Sequence, residues 1–410
     1  MLIYIFAEHY PNPYKPQFDT EFAFLLRQGY EIKIFATDSY VSTIHPRVRE
    51  YKLDQKVSLF PTTLKTLPRF RSALTKALFS APGRAMKRAQ SVWKARESLK
   101  RNLMRIARAI LLPDQPPSLC YIHNIATAEY IDFLRDIYPE ARLAMYFHGG
   151  EVGGVRRVTR DAELFGAMDV VFTNTHFSKG QAVERGCPAE RVIPLPVGFD
   201  LADYPVQLNK KYRNDGTLKL ISIGRLSHEK GIIFALEALA GLIAEGHKNI
   251  SYTIVGRGLQ EKELKAYVKK HALDRYVTFA GEKDKAGVVR LLGESDVLLL
   301  PSITTDTWAE TQAAVVQEAM FMEVMVVGTK AGGVPESTAD VLKDFSVAAC
   351  DACAIADTIK VILALPEENI GAICKSAREF AIGKFDINKI GTMFVEAAMG
   401  TRGTGQQVGR

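Results

Sequence analysis

The sequence lacks the features that mark membrane-spanning, secreted and disulfide-rich proteins. Its 410 residues include only five cysteines, which are too few and too scattered for a disulfide framework. No apolar run approaches the roughly 18 to 20 residues that a membrane-spanning helix requires. The first residues, Met1 to Phe6, have no basic segment and no small-residue cleavage site, so they predict a β-strand and not a signal peptide. We therefore expect a cytoplasmic protein.

Metal-binding and redox patterns are also scarce. The one closely spaced cysteine pair is Cys350 and Cys353. A zinc site needs about four ligands, and a redox pair opens a helix that follows a strand. We interpret these two residues as ordinary half-buried cysteines and expect no metal site.

Positive charge is concentrated in one segment of the chain. Thirteen Lys or Arg residues and one acid, Glu97, lie between Lys65 and Arg108. Five apolar residues recur there at helical spacing and predict one apolar face: Val92, Leu99, Leu103, Ile106 and Ile110. Such a pattern is typical of a helix that lies on anionic lipid headgroups, while a helix packed on its own domain with a solvated basic face is the alternative. Nucleic-acid binding is disfavoured, because Trp93 is the only aromatic residue that accompanies the stripe.

Strand-like runs alternate with helical patterns, and the length predicts two domains. In the first half, predicted strands cover Leu2–Ala7, Glu31–Ala36, Leu119–His123, Leu143–Phe147 and Val170–Asn174, and predicted helices cover Phe18–Gln28 and Ala126–Asp136. In the second half, predicted strands cover Lys219–Ile223, Ser251–Val255, Val277–Ala280, Val297–Leu300 and Val324–Gly328. This alternation predicts an α/β protein with two Rossmann-like, doubly wound parallel sheets that face a central cleft.

The domain boundaries follow from a polar, strand-poor stretch near residue 209. We expect a first domain over 1–205, with the basic insertion at 65–112, and a second domain over 206–384. A helix at about 385–400 is expected to cross back to the first domain. The small polar tail 401–410 predicts disorder.

A first candidate site lies between Gly224 and Gly231, directly after a predicted strand. Arg225 and Lys230 flank the start of a helix, and a helix N-terminus already favours anions. A planar guanidinium and a lysine ammonium in this position suit a phosphate group. A surface loop with two solvated cations is the alternative.

A second candidate site contains Glu310 and Glu318, eight residues apart and again after a strand. A helix that begins near Ala314 places Glu310 in the preceding loop and Glu318 one turn into the helix. Both then lie at the carboxyl edge of the sheet, where open α/β folds bind ligands. Carboxylates there suit the hydroxyl groups of a ribose or a hexose, while pairing of Glu318 with a nearby cation is the alternative.

Glycines follow two further strands. In the stretch Lys330 to Glu336 we expect them to let the backbone approach a ligand closely. The stretch from Val255 begins like a dinucleotide fingerprint, but Glu261 stands where the third glycine belongs, so an NAD enzyme is poorly supported.

In order and spacing, these pieces resemble the retaining glycosyltransferases of family 4, which have the GT-B fold. The resemblance rests on the Glu-x7-Glu pair, Gly224-Arg225 with Lys230-Gly231, Val255 to Gly258, and Pro301-Ser302. It extends to a histidine loop, Phe147 to Glu151, and to a crossing helix from Arg378 to Asp386. It implies sugar transfer from a nucleotide-diphosphate donor, most simply a UDP- or GDP-sugar, without cofactor or metal. The chain contains no Asp-x-Asp, which agrees with metal-free support of the leaving group.

The resemblance also implies roles for individual residues. Catalytic roles are expected for His148, Arg225, Lys230 and Glu310. Donor contacts are expected for Gly224, Gly256, Arg257, Thr311, Gln312, Ala313, Ala314 and Glu318. Acceptor-side contacts are expected for Gly149 and Glu151. His9 and Lys15 lie in a proline-stiffened segment, Glu8 to Pro16, that replaces the glycine-rich loop often found after the first strand of the family. Acceptor-side contacts are expected for these two residues as well, with a plain loop as the alternative. The loop Thr311 to Val315 departs from the family pattern, which has glycines and a proline there, and this narrows the expected sugar pocket.

The leading hypothesis is a cytoplasmic glycosyltransferase, peripheral on the inner face of the cell membrane, that moves a hexose-type sugar to a saccharide acceptor. We expect a polyprenyl-diphosphate-linked acceptor and a role in surface polysaccharide biosynthesis, with the basic insertion on the anionic membrane surface. Transfer to a soluble small molecule or a phospholipid is one alternative. A non-catalytic scaffold that binds nucleotide sugars is another.

Overall fold

The structure is a computed structural model that describes residues 1–12, 16–39, 45–95, 97–149, 160–205 and 210–400. Lys15, Glu151 and the tail 401–410, for which the sequence predicts acceptor contacts and disorder, lie outside these residues. Within them the chain forms one seven-stranded and one five-stranded sheet, and every strand pair is parallel. The predicted fold class, two parallel α/β domains, is confirmed.

The first sheet has the strand order β3-β2-β1-β4-β5-β6-β7. Its strands are β1 (Leu2–His9), β2 (Glu31–Asp38), β3 (Val57–Leu59), β4 (Leu119–His123), β5 (Arg142–Phe147), β6 (Val170–Thr173) and β7 (Val192–Pro194). The second sheet has the order β10-β9-β8-β11-β12. Its strands are β8 (Leu218–Ile223), β9 (Ile250–Val255), β10 (Val277–Gly281), β11 (Val297–Leu300) and β12 (Met325–Gly328).

Helices cover the sheets and connect their strands. Those up to β7 are α1 (Pro16–Arg27), α2 (Pro46–Glu50), α3 (Arg71–Ser80), α4 (Pro82–Val92), α5 (Leu99–Leu111), α6 (Ile125–Tyr130), α7 (Leu134–Ile137), α8 (Asp161–Ala167) and α9 (His176–Glu184). Those after it are α10 (Ile232–Ala244), α11 (Glu261–Lys270), α12 (Lys285–Gly293), α13 (Ala314–Phe321), α14 (Val334–Ser337), α15 (Ala352–Ala364), α16 (Glu367–Phe385) and α17 (Ile387–Met399).

The predicted strands are found to within two residues at either end, but two edge strands have no predicted counterpart and one predicted helix is divided. The strands β3 and β7 are only three residues long, and each lies at the edge of its sheet. The predicted helix over Ala126–Asp136 is two short helices, α6 and α7. Phe133, in the turn between them, is fully buried, so the chain turns there to place that ring in the core.

The last two helices belong to different cores. Cys374, Ala377 and Ala381 of α16 are buried in the core of the second sheet, so the segment from Arg378 stays with that sheet and the crossing comes after it. Helix α17 packs beside α1 on the first sheet. A side chain on Gly391 would lie 2.3 Å from the ring of Phe24. Glycine therefore allows the two helices to approach this closely.

The basic insertion folds differently from the predicted single stripe. Val92 ends α4, whereas Leu99 and Leu103 lie on α5 and are exposed. The arginines Arg88, Arg105 and Arg108 are buried. The prediction of one apolar face below one basic face is therefore wrong.

Buried carbonyl groups and a carboxylate explain why these arginines point inward. Arg88 donates to Ala109 O and Pro113 O at 2.9 and 2.8 Å. Arg108 donates to Pro61 O at 2.8 Å, and Arg105 forms an ion pair with Asp132. Buried cations are stable only with such partners. These arginines therefore support the fold of the insertion.

The cysteines also depart from expectation in part. Cys350 and Cys353 are exposed, not half-buried, and all five cysteines are free thiols.

Candidate active site

The candidate site lies where loops that follow strands of the two sheets meet. Gly149 follows β5, and a side chain built on it would lie 2.9 Å from the methyl group of Thr311. Asn174 Nδ2 donates to Thr311 Oγ1 at 3.4 Å. The next residue, Gln312, accepts from Val197 N–H at 2.8 Å. Thr311 and Gln312, both expected to contact the donor, therefore join the second sheet to the first.

A lysine and a glutamate form the most compact part of the site. Lys230 lies after β8 and Glu310 after β11, and these strands are neighbours. Lys230 Nζ is 2.6 Å from Glu310 Oε2, with side chains only 17% and 9% exposed. Ser302 Oγ donates to the same carboxylate oxygen at 3.2 Å, and the Lys230 ammonium lies 4.8 Å from the centre of the Trp308 ring. A charge pair with this much support is fixed in place.

Arg225 points away from that pair. Its side chain is 67% exposed and lies 3.2 Å from Glu229 Oε1. Burial raises the pKa of Glu229, but the hydrogen bond from Ser227 and the charges of Arg225 and Lys230 outweigh it and lower the pKa overall. Glu229 is therefore an anion that holds the guanidinium at the mouth of the loop.

Glu318 lies on the first turns of α13, as predicted. Ala313 is buried just before the helix, and Ala314 is its exposed first residue. Tyr204 donates its hydroxyl proton to Glu318 Oε1 at 3.0 Å, and Lys285 Nζ is 3.6 Å from the same oxygen. The alternative in which Glu318 pairs with a nearby cation is therefore found, together with a tyrosine that the sequence did not indicate.

A cleft of about 1330 Å³ runs beside Glu318. Arg257, Lys285 and Arg290 line it from the second sheet, and His45 and Arg47 from the first domain. Arg257, an expected donor residue, therefore shares this cleft with Glu318. Among the described residues that line it, Lys230 and Glu310 do not appear. The expected donor residues thus form two groups.

The glycines after the strands bring neighbouring loops together. A side chain on Gly256 would lie 1.9 Å from Gly224 O, and one on Gly333 would lie 2.0 Å from Thr311 O. Only glycine permits backbones to approach in this way. In the stretch from Lys330 to Glu336, the glycines therefore allow the backbone to lie against the loop that holds Glu310 and Thr311.

Glu336, which has no role in the sequence prediction, forms a second link between the domains. Its two carboxylate oxygens accept the N–H groups of His176 and Phe177, both at 2.7 Å. These amides open α9, where a helix favours negative charge. The position of Glu336 after a predicted strand could have marked it as a site residue. Its partners, the amides of His176 and Phe177, could not be predicted because they lie about 160 residues away in sequence.

The histidines predicted in the first domain lie at the carboxyl ends of their strands. His148 follows β5, and its ring stacks on Tyr146 with the centroids 4.7 Å apart. His9 ends β1, with Nε2 3.8 Å from the Glu8 carboxylate. The structure therefore places both on the edge of the first sheet that bears Gly149.

Two kinds of feature are absent from the described residues. No group of three or more His, Cys, Asp or Glu side chains is arranged to hold a metal ion. No helix in that part of the chain is long and apolar enough to cross a membrane.

Comparison with known families and sequences gives matches to part of the chain. Residues 204–379 match the family Glycosyl transferases group 1. The putative colanic acid biosynthesis glycosyltransferase WcaL of Escherichia coli K12 is 28% identical over 243 residues, which cover 58% of this chain and 59% of WcaL. The amylovoran biosynthesis glycosyltransferase AmsK of Erwinia amylovora is 29% identical over 198 residues, which cover 46% of this chain and 47% of AmsK. The chain thus spans about half the length of these relatives.

Solved structures match the whole fold. The Anabaena protein HepE, in complex with UDP and glucose, superposes with a TM-score of 0.69 at 17% identity and covers 97% of this chain and 98% of its own. A glycosyltransferase from Rickettsia africae gives a TM-score of 0.70 at 16% identity, with 98% and 99% covered. The two-sheet architecture is therefore the GT-B fold, and the match to the glycosyl transferases group 1 family covers residues 204–379.

Proposed function

We propose that this protein is a retaining glycosyltransferase that moves a hexose-type sugar from a UDP- or GDP-sugar to a saccharide acceptor, with no metal or cofactor. It acts in surface polysaccharide biosynthesis on a lipid-linked acceptor at the cytoplasmic face of the cell membrane. The observation that carries the proposal is the Lys230–Glu310 pair, held at the ends of adjacent strands. The names of WcaL and AmsK support the polysaccharide role, and the UDP and UDP-glucose complexes of HepE support the donor class.

The donor is bound through its charges and hydroxyl groups. Lys230 and Arg225 neutralise the diphosphate, which stabilises the leaving group as the glycosidic bond breaks. Glu310 accepts hydrogen bonds from the hexose hydroxyls, and Glu318 holds the ribose in the cleft beside Lys285. His148 contacts the sugar from the first domain. Thr311, Gln312 and Gly149 close the pocket between the domains.

The transfer takes place on one face of the sugar. The bond from the anomeric carbon to the diphosphate oxygen breaks, and the acceptor hydroxyl forms the new bond on the same face. The acceptor proton passes to the departing phosphate oxygen, so atoms and charge balance without a further reactant. Arg225 suits this step because its exposed guanidinium can leave Glu229 for the growing phosphate charge.

The basic insertion provides the membrane contact. The six residues Leu78, Phe79, Met86, Trp93, Leu99 and Leu103 are large, apolar and exposed, and Phe79 is 84% exposed. Lys76, Lys87 and Lys100 are exposed on the same three helices. Apolar side chains flanked by cations suit the boundary between headgroups and acyl chains of an anionic bilayer. This surface replaces the stripe that the sequence predicted.

A scaffold that binds a nucleotide sugar without turnover is the second candidate. The observation that favours it is the crowded loop at Thr311, which fills space against Gly149 and Asn174. In this case the donor binds, and neither transfer nor donor hydrolysis follows.

A donor and acceptor screen tests the proposal. The purified chain is incubated with labelled UDP- and GDP-sugars and with free or polyprenyl-diphosphate-linked saccharides, in the presence of EDTA. We expect one donor to label the lipid-linked acceptor, with retained anomeric configuration in the NMR spectrum of the product. Arg225→Ala and Glu318→Ala should abolish labelling, and Lys269→Ala, a change at an exposed residue of α11 outside the cleft, serves as control. Donor binding without any product would establish the scaffold instead.

A further inference from the structure

A small cavity lies beside His148. Its volume is about 20 Å³, which is enough for one water molecule. Three polar side chains line it: Gln17 and Glu21 of α1, and His148. The remaining walls are the segment Leu195 to Gly198 and apolar residues of α17. Gln17, Glu21 and His148 are therefore the side chains that could form hydrogen bonds to a water molecule held there.

Glu21 is the unexpected member of this group, because the proposed transfer chemistry gives it no role. Its side chain is only 17% exposed, on a helix whose other inward residues are mainly apolar. Burial raises the pKa of the Glu21 carboxyl to about 8, with an opposing contribution from the Tyr121 hydroxyl. A carboxyl group in this state carries a proton at neutral pH and can donate a hydrogen bond.

Titratable groups face Glu21 from two strands. From β4, His123 Nε2 lies 3.8 Å from Glu21 Oε2. The Tyr121 hydroxyl, also on β4, is close enough to lower the pKa of the Glu21 carboxyl. From β5, Tyr146 and His148 line the same cavity. The elements that close the other sides, α17 and the segment Leu195 to Gly198, contribute apolar side chains.

The two histidine rings connect this cluster to the site. His123 and His148 are nearly parallel, at 14°, with centroids 6.1 Å apart. The ring of Tyr146 also stacks on that of His148, with an angle of 15° between the ring planes. The Tyr146 hydroxyl donates a hydrogen bond to Leu195 O. The ring of His148 is thus supported by contacts with the rings of Tyr146 and His123.

We propose that Glu21 is a positioning residue for His148: its carboxyl group reaches the imidazole through one water molecule in this cavity and fixes the tautomer and orientation in which the ring meets the sugar. This inference rests on the proposed role of His148 in transfer. When the proton moves, an O–H bond of the carboxyl group breaks, the water accepts one proton and gives up another, and an N–H bond forms on the ring. No further reactant is required.

Two substitutions at Glu21 separate its hydrogen bonding from its volume. Glu21→Gln keeps a donor group but cannot ionise, whereas Glu21→Leu removes both properties. Glu31→Gln and Glu31→Leu are the matched controls, because Glu31 is the exposed first residue of β2 in the same sheet. Thermal unfolding of all four variants identifies any that fail to fold.

We expect wild-type kcat to fall above about pH 8, as the Glu21 carboxyl ionises. Glu21→Gln should retain most of kcat at pH 7 and lose this fall. Glu21→Leu should lower kcat by about 100-fold with an unchanged KM for the donor. Full activity of Glu21→Leu, or the same pH profile in Glu21→Gln as in wild type, would overturn the proposal.

A measurement without turnover keeps this inference separate from the proposed function. In protein labelled with 13C at histidine Cε1, the His148 signal, assigned with His148→Gln, should shift near pH 8 in wild type and in both Glu31 variants. The shift should vanish in Glu21→Gln. Persistence of the shift would refute the link between Glu21 and His148 even if transfer is observed. Loss of the shift with no transfer by wild type would support the link and refute the proposed function.

Discussion

Lys230 Nζ and Glu310 Oε2 lie 2.6 Å apart across two neighbouring strand ends, and both side chains are largely buried. An ion pair in such a place is costly to break on one side, because the remaining charge keeps its desolvation penalty without its partner. The pair therefore links the stability of the second domain to its proposed chemistry, and the two effects can be separated by mutation.

Lys230→Met should lower the free energy of unfolding by about 3 kcal/mol, because it leaves the Glu310 carboxylate unpaired. Combination with Glu310→Gln should restore most of this loss. Transfer should stay at least about 100-fold below wild type in both variants, since neither can neutralise the diphosphate. Urea unfolding and the transfer assay provide the two readouts.

The control for this prediction is Lys265→Met, which breaks the more exposed pair with Glu261 on α11. Such a pair contributes at most about 1 kcal/mol. Equal loss of stability in the two lysine variants would contradict the argument from burial, and recovery of transfer in the double variant would remove Lys230 from the site.

Glu336→Gln should weaken the contact between the domains. The carboxylate accepts two amide protons at the start of α9, and removal of its charge costs about 1 kcal/mol at a helix N-terminus. Hydrogen exchange at the His176 and Phe177 amides should become several-fold faster. Exchange equal to that of Glu140→Gln, a change at an exposed turn of the first domain, would show that the link carries no energy.

Asp19 should make the stability of the first domain depend on pH. It is buried and accepts the Tyr10 hydroxyl proton at 2.8 Å. Burial raises its pKa to about 7, despite the hydrogen bond from Tyr10 and the charge of Arg47. In the unfolded chain its pKa is about 4. The folded state therefore holds this proton more tightly, and the stabilisation, complete below pH 4, is lost as the pH rises to about 7.

Asp19→Asn should consequently melt at a higher temperature than wild type at pH 8, with a gain of about 2 to 4 kcal/mol. The gain should disappear near pH 4. Calorimetry between pH 4 and 8 tests this, with Asp274→Asn at an exposed turn as the control. A constant difference across this range would mean that Asp19 is ionised in the folded protein.

The lysines of the basic insertion should determine membrane binding. Lys76, Lys87 and Lys100 are exposed, and each basic residue near an anionic surface contributes about 1 kcal/mol. Their joint replacement by Gln should reduce partitioning into phosphatidylserine-containing vesicles by about 100-fold. Sedimentation with vesicles measures this.

A matched triple variant replaces Lys262, Lys269 and Lys270, which are exposed on α11 of the second domain. It has the same net charge, so equal loss of binding in the two triple variants would attribute the attraction to overall charge. Phe79→Ser should weaken binding further, because its ring is the most exposed of the insertion.

Local patterns in the sequence were sufficient to predict every strand of the two sheets except β3 and β7. The strands β4 and β11 occur with the predicted bounds, because short apolar runs flanked by polar residues carry their own signal. The strands β3 and β7 have three residues each, too few for a period to show. They are fixed by their pairing with β2 and β6, which is a long-range property.

Charged residues in the insertion show the limit of the same method. The sequence pattern predicts that Arg88, Arg105 and Arg108 are exposed to solvent, because such a pattern treats every cation as a surface residue. Their partners are a carbonyl group near the end of α5, a carbonyl group in the loop after β3, and Asp132, which lie 21 to 47 residues away in sequence. Tyr204 and Lys285 near Glu318 were missed for the same reason.

The position of α17 has a consequence for synthesis on the ribosome. The first sheet is made early, but Phe24 is covered by α17, a helix that follows the entire second sheet. Domains made in sequence normally fold in sequence. Here the N-terminal domain is the first to begin folding and the last to be completed. The nascent chain therefore exposes a hydrophobic face of this domain while the second domain is translated.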